Sequence, residues 1–240
     1  MKKKIVCFGD SITKGHPGIT YLKYFNNKKK YKNYGLSGDT LLGMHNRLNK
    51  FLNSNKVNNT EGILIGIGAN DVIQPYLNNY SWLWKIRVKM LLKRGSVPCY
   101  SNSQFKDEYT NMVKTLKNSN KFFVIFSIPY LETNEHLLNE KIKEYNKIIK
   151  RICLDFNVPF IDYYSWQEQE KNKMKNTNYS FMSKNPLLVG ADTALTSYFQ
   201  LADHISNKRN LGLTIDGCHL NHHSAKGLAR MIEETYKTIE

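Results

Sequence analysis

The first residues able to do chemistry are Gly9-Asp10-Ser11, directly after the apolar run Lys4–Phe8. In a parallel α/β sheet the carboxyl ends of the strands face the ligand crevice, so a serine there is placed as a nucleophile. The same serine, ahead of an amphipathic segment, also fits a helix N-cap. Far along the chain, Asp216-Gly217-Cys218-His219 sets a carboxylate three residues before a histidine, across a glycine-containing turn. That spacing lets the carboxylate orient the imidazole and stabilise its protonated form; a surface histidine in a loop is the plainer reading. His222 and His223 follow, yet no Cys/His/Asp cluster elsewhere matches them as metal ligands. Neither a metal nor a cofactor is expected.

Two more segments add donors. In Asn33-Tyr34-Gly35-Leu36-Ser37-Gly38-Asp39 the glycines can expose backbone N–H groups, as an oxyanion hole requires, or simply form a strand-to-helix turn capped by Asp39. In Gly66-Ile67-Gly68-Ala69-Asn70-Asp71 the Asn70 amide can donate to a developing oxyanion, although Asn and Asp also favour turns. Each segment is ambiguous by itself. Together Ser11, Gly38, Asn70, Asp216 and His219 supply a nucleophile, two oxyanion donors, an orienter and a base. The order Ser…Asp…His is compatible with triad geometry, while the G-x-S-x-G elbow of α/β-hydrolases is absent.

Such a set needs elements that bring it together. Short β-rich runs alternate with longer amphipathic ones, the pattern of an α/β protein with a parallel sheet. Lys4–Phe8, Tyr31–Tyr34 (weak), Gly62–Ile67, Phe122–Ile128 and Val158–Ile161 are the strand candidates. Their continuous apolar runs fit strands covered on both faces. Helical periodicity marks Thr40–Phe51, Phe105–Leu116, Leu137–Phe156 and Ser224–Ile239, with a further helix around Ala194–Ile205. No repeat or Pro/Gly/Ser linker appears, so residues 1–240 read as one domain. Two connections, at about 71–102 and 163–215, exceed the usual loop length and fit lids or pocket walls.

Composition narrows the class. With 41% hydrophobic residues the chain can fill a core, and no apolar run nears the ~18–20 residues needed to cross a bilayer. Cys7, Cys99, Cys153 and Cys218 lie far apart and read as reduced thiols of a cytoplasmic protein. The apolar run after Met1-Lys2-Lys3-Lys4 stops at Asp10, too short for a secretory signal. The net charge is +15, and residues 1–60 carry 12 Lys/Arg against Asp10 and Asp39. Such a patch can follow phosphates or an anionic surface. However, 29 Lys and 27 Asn are spread nearly everywhere, which reads as a general bias, and no nucleic-acid partner is expected.

These motifs resemble the SGNH hydrolases of the GDSL esterase/lipase superfamily, whose blocks occur here in order from residue 9 to residue 219. The resemblance implies a three-layer α/β/α sandwich with a five-stranded parallel sheet of order 2-1-3-4-5 and metal-free hydrolysis of a small-molecule acyl ester. It implies Ser11, Asp216 and His219 as catalytic, with Ser11, Gly38 and Asn70 forming the oxyanion hole. A sugar acetate, a lipid or a thioester all fit as substrate. An acyltransferase using the same site, or a basic nucleic-acid- or surface-binding protein without catalysis, stays open. Trp82-Leu83-Trp84 either patches the core or an oligomer contact, or walls an acyl pocket. In the second case Lys85, Arg87 and Lys89 sit near its rim and favour anionic or phosphate-bearing esters. Oligomeric state cannot be read from the sequence.

Overall fold

The computed structural model describes residues 3–174 and 185–238. Its centre is a parallel sheet of β1 (Lys4–Gly9), β2 (Tyr31–Gly35), β3 (Thr60–Gly66), β4 (Phe122–Phe126) and β5 (Phe160–Ile161), in the order β2-β1-β3-β4-β5. This is the expected order. β1 and β3 lie inside the sheet and are buried from Ile5 and from Gly62 onward, which is why they are apolar throughout. β2 pairs only with β1, and its edge position explains the weak signal: Lys32 and Asn33 face solvent.

The helices are α1 (Ser11–Lys14), α2 (Leu41–Leu52), α3 (Ala69–Tyr80), α4 (Trp82–Lys93), α5 (Asn102–Asn118), α6 (His136–Asp155), α7 (Tyr163–Asn172), α8 (Leu187–Ser197), α9 (Ala202–Lys208) and α10 (His222–Lys237). On one side α2, α5 and α6 pack on one another; α10, with α7 and the turn Tyr21–Tyr24, forms the other layer. The apolar stripes do this work. Leu41, Met44 and Leu48 of α2, Tyr109, Met112 and Val113 of α5, and Leu228 and Ile232 of α10 are all buried. Phe105 and Tyr145 stack at 3.7 Å between centroids and join α5 to α6.

Two readings change. The connection at 71–102 is mostly helical, running through α3 and α4. The helix expected around Ala194–Ile205 is two helices, α8 and α9, because the chain breaks at Tyr198–Leu201, where Gln200 takes a positive φ of 55°. Part of the 163–215 connection, residues 175–184, lies outside the described residues, as do Met1, Lys2 and Ile239. Among the described residues no helix is long and apolar enough to cross a membrane.

Every strand-to-helix turn after β1, β2 and β3 opens on the same end of the sheet. Close approach there demands glycine at the end of β2: a Cβ on Gly35 would stand 2.2 Å from the backbone nitrogen of Lys14 and 2.8 Å from the carbonyl of Asp10. The end of β2 is thereby pressed against the segment that carries Ser11.

Candidate active site

Ser11 opens α1 immediately beyond β1. The capping role falls to its neighbour, because the Asp10 carboxylate accepts from the Ile12 N–H at 2.9 Å. The Ser11 hydroxyl is left for another partner. That partner is His219, whose Nε2 lies 2.9 Å from Ser11 Oγ, while its Nδ1 lies 2.7 Å from Asp216 Oδ2. The second Asp216 oxygen accepts the backbone N–H groups of Cys218 (3.1 Å) and His219 (2.9 Å). With Nδ1–H directed at the carboxylate, Nε2 is free to accept the serine proton.

All three side chains are buried. Burial works against an imidazolium, but the charge of Asp216 and its hydrogen bond outweigh it and raise the His219 pKa above the ordinary value. Burial likewise pushes Asp216 up, and the opposing charge of His219 with three hydrogen bonds holds it below the ordinary carboxylate range. The arrangement is a carboxylate-oriented base within reach of a hydroxyl, able to carry acyl transfer.

The donor side is assembled from two turns. Gly38 has φ of 75°, and its N–H has no hydrogen-bond partner among the described residues. Its carbonyl accepts from Gln74 Nε2 at 2.9 Å. The next residue, Asp39, is clamped by Arg47 (Nη2–Oδ2 2.6 Å), which also donates to the carbonyls of Tyr34 (2.8 Å) and Gly9 (3.1 Å). One guanidinium thus fixes the ends of β1 and β2 and the glycine turn together. Asn70, the second residue of α3, has its Nδ2 3.4 Å from Asp10 Oδ2. Burial lifts Asp10 to about 7, and Asp71 likewise to about 7. Asp71 receives the N–H groups of Leu41 and Cys99, each at 2.9 Å, and so ties the starts of α2 and α5 to α3.

Ser11, Gly38, Asn70 and His219 line one cleft of about 640 Å³. Asp216 sits behind the imidazole. Trp84 also lines the cleft and is 5% exposed, but Trp82 is 70% exposed and does not. Their parity on α4 separates them, since two residues along a helix turn a side chain by about 200°. The neighbouring histidines are used elsewhere: His222 Nδ1 meets the Tyr24 hydroxyl, and His223 Nε2 meets Glu170 at 3.0 Å.

The family described as GDSL-like lipase/acylhydrolase matches residues 5–234. The chain belongs to that family. It is therefore of an ester-hydrolase kind. No curated protein matches the chain. Among solved structures, this GDSL-like protein is similar to a GDSL-like lipase from Bacteroides thetaiotaomicron VPI-5482, with 16% identity, TM-score 0.61 and coverage of 99% of this chain and 89% of the other. An acetyl xylan esterase from Geobacillus stearothermophilus aligns at 15% identity and TM-score 0.61, covering 97% and 94%. A lipase/acylhydrolase from Enterococcus faecalis aligns at 19% and 0.56, covering 98% and 96%. At these identities the likeness is one of fold.

Sequence reasoning missed the residue that fastens the Asp216–His219 turn. Glu132, fully buried, accepts from the N–H groups of Gly212 (2.7 Å), Leu213 (2.9 Å) and Thr214 (3.0 Å) and from the Thr214 hydroxyl (3.0 Å). Its own N–H donates to the Gly217 carbonyl at 2.8 Å. Thr214 Oγ1 in turn accepts from Gly217 N–H at 3.0 Å. Lys171 Nζ stands 3.4 Å from the carboxylate. Glu132→Gln removes one acceptor oxygen and turns an amide toward N–H groups, leaving buried donors unpaired at about 1–3 kcal/mol. We expect a lower Tm together with at least about a tenfold fall in kcat, since small misplacement of a base is costly. Thermal unfolding beside steady-state kinetics checks this. A lower Tm with unchanged kcat would make Glu132 a purely structural residue.

Proposed function

We propose that this protein hydrolyses an acyl ester through a covalent acyl-serine intermediate. The observation that carries the reading is the continuous chain Asp216–His219–Ser11, with contacts of 2.7 and 2.9 Å, ending at a cleft. His219 takes the Ser11 proton as Oγ attacks the ester carbonyl. The Ser11 and Gly38 N–H groups and the Asn70 amide stabilise the oxyanion. Collapse of the tetrahedral intermediate breaks the bond to the alkoxy oxygen, and His219 returns its proton to the departing alcohol. Water, deprotonated by His219, then releases the acid.

Ile73, Leu77, Trp84 and Val88 line the cleft beside these groups. Those walls support an acyl group longer than acetyl as the preferred substrate, because each buried CH₂ contributes ~0.8 kcal/mol. A p-nitrophenyl series from acetyl to octanoyl tests the reading. Values of kcat/KM should rise with chain length, and Trp84→Ala should flatten the rise. On the preferred ester, Asn70→Ala should lower kcat by roughly 10²–10³ with little change in KM. Absence of turnover on every member would refute the esterase reading.

The histidine shift adds a pH signature. Only neutral His219 can accept the serine proton, so activity appears as the imidazolium loses its proton. Although burial opposes the charge, Asp216 raises this pKa, which moves the acid limb of kcat/KM to higher pH than an ordinary histidine would give. Asp216→Asn should move that limb downward while costing about 10⁴ in kcat. A wild-type limb at or below the ordinary histidine value would contradict the assignment.

A further inference from the structure

The rim of the cleft leaves apolar side chains in water where a folded surface normally hides them. On α4, Trp82, Ile86 and Met90 recur every fourth residue and are 70%, 50% and 57% exposed. The opposite face of that helix, Trp84, Val88 and Leu91, is buried and anchors it. Beside the apolar stripe runs a second row with the same spacing, Lys85, Lys89 and Lys93. α4 contains no acid, and none of these lysines has a carboxylate partner among the described residues. On α8, Leu187 is 74% exposed and Leu188 is 48% exposed. The only charge in α8, Asp192, is buried against Arg209 at 2.8 and 2.9 Å. Ile86, Met90 and Leu187 belong both to this exposed rim and to the lining of the cleft.

We propose that this rim docks on an anionic lipid bilayer and that the ester admitted to the cleft is a lipid presented there. The inference rests on the esterase reading and names where the substrate is met. A tryptophan with aliphatic neighbours enters the interfacial layer, while adjacent lysines lay their stems on it and reach phosphates. Continuity between rim and cleft gives an acyl chain an apolar route from bilayer to Ser11. A second copy of the chain is a poorer occupant. A two-fold contact centred on this face would set the lysine rows against each other and close the cleft.

Vesicle sedimentation decides it, using full-length Ser11→Ala protein so that binding is read without turnover. The protein should sediment with phosphatidylcholine–phosphatidylglycerol vesicles, not with phosphatidylcholine alone, and added salt should release it. Replacing Lys85, Lys89 and Lys93 by Ser together should weaken partition by at least about tenfold. A control triple, Lys28, Lys29 and Lys56 to Ser, lies where the chain enters β2 and β3, at the opposite end of the sheet. It removes the same charge and should cost less than about threefold. Brominated lipids should quench tryptophan fluorescence, and Trp82→Phe should remove that quenching. Equal losses for both triples, no vesicle binding, or a concentration-dependent dimer that buries Trp82 would each overturn the proposal. In protein with Ser11 intact, turnover of soluble p-nitrophenyl butyrate should be unchanged by the α4 triple. Absence of that turnover in the wild type would count against the esterase reading alone.

Discussion

A buried carboxylate facing a buried histidine is the constraint on which the site depends. The carboxylate fixes Nδ1–H toward itself, which leaves Nε2 free to accept, and it offsets the positive charge that arrives with the serine proton. The geometry that makes this possible is narrow. Asp216 must keep one oxygen on His219 Nδ1 while the other is saturated by the N–H groups of Cys218 and His219. A turn of four residues, Asp216 to His219, can do that only if its ends are fixed from outside. Glu132 and Thr214 fix them, and Asn221 finishes the turn by capping α10 while its amide holds the Gly212 carbonyl.

Buried carboxylates also organise the donor side of the cleft. Asp10, Asp39 and Asp71 are buried, and each is hydrogen-bonded to backbone or to Arg47 at the carboxyl end of a strand. Removing a partner would leave Asp39 as an uncompensated buried charge, or leave buried N–H groups unpaired at Asp10 and Asp71. Loops built this way have few alternative conformations. Preorganised donors are worth most where water is excluded and no rearrangement accompanies the reaction. Surface ion pairs, such as Lys30–Glu61 and Arg151–Asp155, contribute little by comparison.

Much of this was legible in the residues. β1 and β3 are uninterrupted apolar runs because both their faces are covered, and the helix stripes of α2, α5 and α10 follow the 3.6-residue period. Ser11, Gly38, Asn70, Asp216 and His219 could be singled out because each follows a strand or precedes a helix where a reactive or turn residue stands out. Glu132 could not. Leu131-Glu132-Thr133 carries no spacing signal, and its partners are about 80 residues away. Arg47 was hidden for the opposite reason, inside an ordinary amphipathic helix. The break between α8 and α9 escaped notice because Gln200 adopts a left-handed backbone without a glycine to announce it. Trp82 and Trp84 looked equivalent as neighbours, and only the helical twist sends one into the cleft and the other into solvent.

The account stands or falls on Ser11 being a nucleophile activated by His219. A fluorophosphonate probe with peptide mass mapping tests this directly, since such reagents are captured by activated serines and not by ordinary ones. The native protein should carry one adduct, on Ser11, and His219→Ala should remain unlabelled over the same interval. An adduct on another serine, or a preparation that turns over ester while taking up no label, would contradict it.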